Sequence, residues 1–189
     1  MGRGTMKAAV LDGTEVVNGL AVDTDLRWAL IASLAAKGAV DEAVIAAEME
    51  RDPTDQGRRR GASARAALPR PEGKAAAWEA VLGDARMPLA TKRAVVGGFG
   101  QYGQEEILGA FGPRYLEALP LIWNGRTPEE SLLLTEALYP STVVSEETLA
   151  VADQALARDD VPEPGKRLIL EARDSTRRAL RARAVDASA

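Results

Sequence analysis

The sequence predicts an all-α protein in which antiparallel helix pairs stack into an α-solenoid of about nine or ten helices. Aromatic residues make up only 4% of the 189 residues, whereas alanine, leucine, glutamate and arginine, which favour helices, are abundant. No segment combines sustained period-2 alternation with β-branched residues, so no substantial sheet is expected. Proline and glycine divide the chain into helix-length pieces joined by short loops.

The domain boundaries follow from the same prolines and glycines. Residues 1–22 are predicted to be an irregular lead-in with turn signals at Asp12-Gly13 and Asn18-Gly19, and the initial MGRGT is a candidate added leader. A single helical domain is predicted over 23–184, followed by a disordered tail at 185–189. The predicted helices cover about 25–36, 41–51, 53–68, 71–82, 90–100, 103–123, 128–139, 145–159 and 166–183. The sixth segment is either one broken helix or two short ones.

Three local signals support these helix boundaries. Asp41 and Ser145 are residue types that cap helix N-termini. Thr127-Pro128-Glu129-Glu130 combines a capping threonine, a proline suited to the first helical position and a glutamate at the third. Gly112-Pro113 is predicted to interrupt the segment between residues 103 and 123.

Composition excludes several classes of function. With no cysteine and no histidine, the chain has neither thiolate or imidazole metal ligands nor a histidine-based catalytic triad. A net charge of −4 argues against nucleic acid as a partner, since phosphate binding needs a basic surface. No apolar run is long enough to span a membrane, and no signal peptide is recognised, so a cytoplasmic location is expected.

Arg27 is the main candidate for a functional side chain. It follows closely on the start of the first core helix, where the helix dipole disfavours a cation, so it is expected to have a carboxylate partner, Asp23 or Asp25. A guanidinium held for a substrate carboxylate is the functional interpretation. A structural ion pair that fixes this helix against the lead-in is the favoured one. Lys92 is the second candidate, although it shares a helical face with apolar residues.

The other distinctive residues are expected to be structural. The three tryptophans, Trp28, Trp78 and Trp123, sit among helical apolar residues and are predicted to pack between helices. Gly97-Gly98 matches no phosphate-loop pattern and predicts close helix packing or a kink. Two arginine groups predict solvated, partly paired faces: Arg58 to Arg60, and six arginines of the last helix, with predicted pairs Arg167–Glu171 and Asp174–Arg178.

Several stretches in one order resemble a known family. They are GLAVDTDLRWAL at 19–30, AAEMERDPTDQGRRRGASARAALP at 46–69, KAAAWEAVL at 74–82, TKRAVVGGF at 91–99, RYLEALPLIW at 114–123, LTEALYP at 134–140 and KRLILEARDSTRRALRA at 166–182. The set resembles the C-terminal helical domain of aminopeptidase N-like zinc metallopeptidases of the actinobacterial type. The resemblance covers residues 10–183.

This resemblance implies a HEAT-like superhelix and a non-catalytic role. It implies that zinc and the catalytic residues belong to a separate catalytic domain, and that this chain packs on that domain and walls the chamber holding the peptide substrate. No catalytic, metal or cofactor residue is expected in this chain. Arg27 and Lys92 are the candidate chamber-facing positions. The alternative is a free-standing α-solenoid that binds a protein or peptide partner.

Overall fold

The computed structural model describes residues 3–13 and 21–187. These residues form helices only, which confirms the predicted all-α class. The eleven helices are α1 Arg3–Asp12, α2 Thr24–Ala35, α3 Glu42–Arg51, α4 Asp55–Ala67, α5 Pro71–Gly83, α6 Leu89–Phe99, α7 Glu105–Leu108, α8 Phe111–Trp123, α9 Pro128–Ala137, α10 Glu146–Leu156 and α11 Glu163–Asp186.

The chain forms two compact units, Met1–Gly103 (unit 1) and Gln104–Ala189 (unit 2), where the sequence predicts one domain over 23–184. In each unit, helices pack on the next helix and also on the next but one. Helix α4 packs on α2, α3, α5 and, most extensively, α6. In unit 2, α8 packs on α9 and α10, and α11 packs on α9 and α10. This is the packing expected of stacked helix pairs.

The core of unit 1 is built where α2, α3 and α4 meet. Its buried members are Trp28, Ile31, Ala35, Ile45, Ala64, Ala67 and Leu68. Helix α2 turns away from this core at Gly38, whose φ of +65° suits a residue without a side chain. The predicted stop at Gly38 is thus confirmed.

The core of unit 2 draws on all four of its longer helices. It includes Tyr115, Leu119, Ile122, Leu134, Ala152, Ala155 and Ile169, each no more than 1% exposed. Two buried tyrosines meet edge to face: the rings of Tyr115 and Tyr139 have centroids 5.8 Å apart. The Tyr115 hydroxyl donates to the Thr135 carbonyl at 2.8 Å, so its polar group is satisfied inside the core.

Helix N-termini begin where the capping residues predict. Asp41 accepts hydrogen bonds from the backbone of Ala43 and Val44, and Ser145 accepts one from Thr148. Thr127 accepts from the Glu130 backbone at 3.3 Å, and Pro128 occupies the first position of α9. The three predicted caps are confirmed.

The predicted irregular lead-in and the predicted start of the tail at residue 185 are wrong. The predicted break between residues 103 and 123 is present, as α7 and α8 are separate helices, but it lies slightly before Gly112-Pro113. Residues 3–12 form α1, which ends where Gly13 takes a φ of +81°, while Asn18-Gly19 lies outside the described residues. Gly112 and Pro113 fall in the first turn of α8, where proline's missing N–H costs no hydrogen bond, so the break precedes them. Helix α11 continues to Asp186, two residues into the predicted tail.

Among the described residues, no helix is long and apolar enough to cross a membrane.

Candidate functional site

Arg27 forms a bidentate ion pair with Glu48 of α3. Its Nη2 lies 2.7 Å from Glu48 Oε2, and its Nε lies 2.9 Å from both carboxylate oxygens. Its Nη1 donates to the Leu11 carbonyl at 3.0 Å. Glu48 is 3% exposed and the Arg27 side chain 19%. The hydrogen bonds to Glu48 raise the pKa of Arg27, so the guanidinium stays charged.

The predicted counter-ions of Arg27 are therefore wrong, although the prediction of a carboxylate partner is right. Asp23 caps α2 by accepting from the Leu26 backbone, and Asp25 points to Arg60 of α4 at 2.7 Å. The bond to Leu11 does tie α2 to the lead-in, as the structural interpretation expects. Sequence proximity misled here because Asp23, as the N-cap, serves the exposed N–H groups of the helix, and Asp25 pairs with a cation on another helix.

A second polar link lies beside this pair. The buried Trp28 donates from Nε1 to Asp52 Oδ2 at 2.9 Å, and Thr54 donates to Asp52 Oδ1 at 2.6 Å. Both hydrogen bonds lower the pKa of Asp52, and the bond from Thr54 has the larger effect. Gly57 lets α4 approach, since a Cβ there would lie 2.1 Å from the Asp52 carbonyl oxygen. Helices α2 and α4 are thus joined through one carboxylate.

Two lysines of unit 1 are buried, and sequence reasoning singled out only one of them. Lys92 is 1% exposed, on a face with the buried Val95, Val96 and Phe99. Lys74 is fully buried, and its Nζ donates to the Ala66 carbonyl at 2.7 Å and to the Phe99 carbonyl at 2.5 Å. Burial lowers the pKa of Lys74 to about 8.

The two carbonyls that Lys74 binds belong to the last turns of α4 and α6. Both helices therefore direct their negative dipole ends at one ammonium group. The signal for this site is in the sequence: Lys74 lies four residues before Trp78 and seven before Val81, on the apolar face of α5. A lysine on such a face needs an internal partner.

The tryptophan, glycine and arginine predictions hold with small corrections. Trp28 and Trp78 are buried, whereas Trp123 is only partly so. The Arg58–Asp55 and Arg167–Glu171 pairs are present, but Asp174 pairs with Arg177 at 3.3 Å, not with Arg178. A Cβ at Gly98 would lie 2.0 Å from the Ser63 carbonyl oxygen, so α4 and α6 touch through this glycine.

Grooves with an apolar floor occur in both units. In unit 1 a groove of about 420 Å³ runs between α4 and α5. Its floor is mostly alanine, and its rim carries Glu42, Arg65, Arg70 and Glu72, two acids and two bases. Arg65 Nε donates to Glu42 at 2.5 Å, so part of this rim is already paired.

The groove of unit 2 is larger and less balanced in charge. It measures about 610 Å³ and is lined by Gly112, Pro113, Pro140, Val143, Ala150 and Val151. Its polar rim includes Glu147 and Gln154. This groove, called below the unit 2 groove, lies where the start of α8, the loop before α10 and α10 itself meet.

Comparison with known proteins identifies the family. A family model described as the ERAP1-like C-terminal domain matches residues 6–178. The chain belongs to this family. It is also 46% identical over 181 residues to Aminopeptidase N of Streptomyces lividans, which covers 96% of this chain and 21% of that protein. The chain spans about a fifth of the length of that relative. The resemblance inferred from the sequence is confirmed.

Proposed function

We propose that this chain is the non-catalytic C-terminal domain of a zinc-dependent aminopeptidase that removes N-terminal residues from peptides. The observation that carries the proposal is the match over nearly the whole chain to a fifth of an aminopeptidase N. In this proposal the domain packs on the enzyme's own catalytic domain and walls the chamber that holds the peptide. Its location is that of a cytoplasmic enzyme.

The residue composition of the chain supports the proposal that zinc binding and catalysis belong to a separate domain. The sequence has neither histidine nor cysteine, and the described residues hold no group of three or more acids that could bind a metal ion. These residues do not fit a zinc site, so zinc belongs to the catalytic domain in this proposal. What the chain offers is packed helices and grooves in both units.

Arg27 and Lys92 enter the proposal as candidate peptide contacts. Arg27 is the stronger of the two because a fifth of its side chain is exposed, whereas Lys92 exposes only 1%. Arg27 is also held by Glu48, so its guanidinium is positioned before any peptide arrives. A contact to peptide would use the exposed edge of this pair.

The proposal is tested on the purified chain and on the aminopeptidase N relative lacking its matching fifth. The chain alone, with added zinc, should hydrolyse no amino-acid anilide and bind no zinc stoichiometrically. Mixed with the shortened relative, it should form a one-to-one complex by light scattering. Zinc-dependent turnover by the chain alone, or no association at tens of micromolar, would count against the proposal. The second outcome would favour the free-standing scaffold.

A further inference from the structure

We propose that the unit 2 groove binds an apolar side chain of a peptide with basic neighbours. The inference rests on the proposed function, since it assigns a class of peptide to a domain expected to meet peptides. Three features of unit 2 support it: the shape of the groove, an uncompensated carboxylate on its rim and the charge of the surrounding helices.

The groove is open because its walls carry almost no side chain at the start of α8. Gly112 presents only backbone, and a Cβ there would lie 3.3 Å from Val151 Cγ2. Pro113 and Pro140 border the same space. Because proline has no backbone N–H group, neither residue leaves an unpaired hydrogen-bond donor there. A volume of about 610 Å³ accommodates a leucine or phenylalanine side chain with part of its backbone.

Hydrogen bonds hold the floor of the groove in place. Thr148 donates from its hydroxyl to the Val143 carbonyl at 2.6 Å, which joins α10 to the loop before it. Below Thr148, the Tyr139 hydroxyl lies 3.4 Å from the Thr148 carbonyl and 3.3 Å from Thr176 Oγ1. Because the floor is already ordered, binding would cost little conformational entropy.

The rim carries a carboxylate without a cationic partner. Glu147 is exposed and forms no ion pair with any residue that the structure describes. Its own backbone N–H and the Ser145 side chain lower its pKa. The neighbouring Glu146 is also exposed. Two full negative charges outweigh the roughly half positive charge of the α10 N-terminus, so this edge attracts cations.

The surrounding sequence reinforces this negative charge. Residues 104–189, which make up unit 2, contain 15 acidic and 10 basic residues, a net charge of −5. Seven of the ten basic residues lie on α11, whose Arg173 pairs with Asp153 of α10. Of the other three, Arg126 and Arg158 are paired with Glu130 and Asp160, and the Arg114 guanidinium lies over the Phe111 ring. Arg183 of α11 also reaches this edge, where it donates to the Val144 carbonyl at 3.0 Å, but it forms no ion pair with Glu147. The remaining excess of carboxylates favours a basic ligand over an acidic one.

The test uses the full chain and three fluorescein-labelled octapeptides, followed by fluorescence anisotropy. The first peptide has a central phenylalanine flanked by lysines, the second replaces the lysines with glutamates, and the third replaces the phenylalanine with serine. We expect the first to bind at least tenfold more tightly than the other two, and less tightly at 0.5 M salt. Equal binding of all three, or no binding up to 1 mM, would overturn the inference.

Substitutions inside and outside the unit 2 groove show where the peptide binds. Ala150→Phe should fill the groove and weaken binding more than tenfold, whereas Ala150→Ser should leave it within twofold. Gln154→Phe is the second blocking variant if Ala150→Phe does not fold. Glu147→Gln should weaken binding about fivefold, and Glu136→Gln, an exposed acid on α9, should not change it. Unchanged binding in both groove-filled variants would contradict the assignment.

Light scattering separates the other possible occupants. If the chain dimerises and Ala150→Phe makes it monomeric, the groove is a self-association surface and the peptide assignment is wrong. Peptide binding by the isolated chain needs no catalytic domain. A chain that binds the basic peptide but not the shortened aminopeptidase would therefore refute the proposed function and leave the groove assignment standing, and the reverse result would do the opposite.

Discussion

At the scale of single residues, the ion pair of Arg27 and Glu48 shows what spacing along a sequence can and cannot reveal. A cation close to a helix N-terminus predicts a carboxylate partner, and one is present. Which carboxylate it is depends on how α3 packs on α2, because Glu48 lies 21 residues away. Asp23 and Asp25 are nearer in sequence, but one caps α2 and the other reaches α4.

Breaking this pair should destabilise the chain. Arg27→Met leaves the buried Glu48 with only the exposed Arg51, whose Nε lies 3.8 Å from its Oε2. We expect a loss of about 3 kcal/mol in the free energy of unfolding, measured in urea. The double variant Arg27→Met/Glu48→Met should recover most of this loss. Arg58→Met, which removes an exposed pair with Asp55, should cost less than about 1 kcal/mol. If Arg27→Met costs no more than Arg58→Met, the pair does not hold α2 and α3 together.

The same variant separates the two roles considered for Arg27. Introduced into a chimera with an active catalytic domain and assayed where the protein remains folded, Arg27→Met should lower kcat/KM for a peptide if the exposed edge of Arg27 contacts peptide, and should leave it unchanged if the ion pair with Glu48 is its whole role. A fall in peptide turnover with an unchanged free energy of unfolding would assign Arg27 to the substrate.

Because of Lys74, the stability of the chain should increase as the solution becomes more alkaline. Its pKa is about 8 in the folded chain and 10.5 when exposed, so the unfolded chain binds more protons between these values. Stability contributed by this group therefore rises with pH from 8 to 10.5, by up to about 3 kcal/mol. Urea unfolding of wild type and Lys74→Met across this range should show the difference growing in favour of wild type. Lys37→Met, at an exposed lysine, should show no such trend.

At the scale of helices, the contact between α4 and α6 depends on the absence of a side chain at Gly98. The backbone of Ser63 lies so close that any Cβ at position 98 would overlap it. Gly97, the preceding residue, has open space around its Cα. The sequence pair predicts close packing, but only the structure distinguishes the glycine in contact from its neighbour.

These two glycines form a matched pair of variants. Gly98→Ala should destabilise the chain by about 3 kcal/mol because the helices must separate or shift. Gly97→Ala should be neutral or stabilise it by about 0.5 to 1 kcal/mol, since alanine is the better helix former. Differential scanning calorimetry of the two variants gives the comparison. A larger loss for Gly97→Ala than for Gly98→Ala would contradict the packing of α4 on α6.

Most helix boundaries were predictable because local chemistry sets them. Asp41, Thr127 and Ser145 cap helices at the positions that their types indicate, and prolines stand at the starts of α5 and α9. Helix α1 was missed because it has no acidic residue in its first turn and no basic one in its last, and because it contains Gly4. The unit 2 groove was missed because it forms where Gly112, at the start of α8, has no side chain.

At the scale of the whole molecule, residues 3–13 and 21–187 form packed helices. The sequence contains neither histidine nor cysteine, and this can be read from composition alone. The division into two units at Gly103 was not predictable, since glycines and prolines punctuate the chain at many other places. The excess of acidic residues in unit 2 can be counted in the sequence. That this excess lies beside a groove is visible only in the structure.

The central claim is that this chain serves a catalytic domain as its C-terminal part. The most direct measurement is kcat/KM for an octapeptide and for an amino-acid anilide in three proteins. They are intact Streptomyces lividans aminopeptidase N, the same enzyme lacking its matching fifth, and a chimera in which this chain replaces that fifth. We predict that the chimera restores octapeptide turnover to within tenfold of the intact enzyme. A chimera that folds, binds zinc and is no better on the octapeptide than the shortened enzyme would contradict the account.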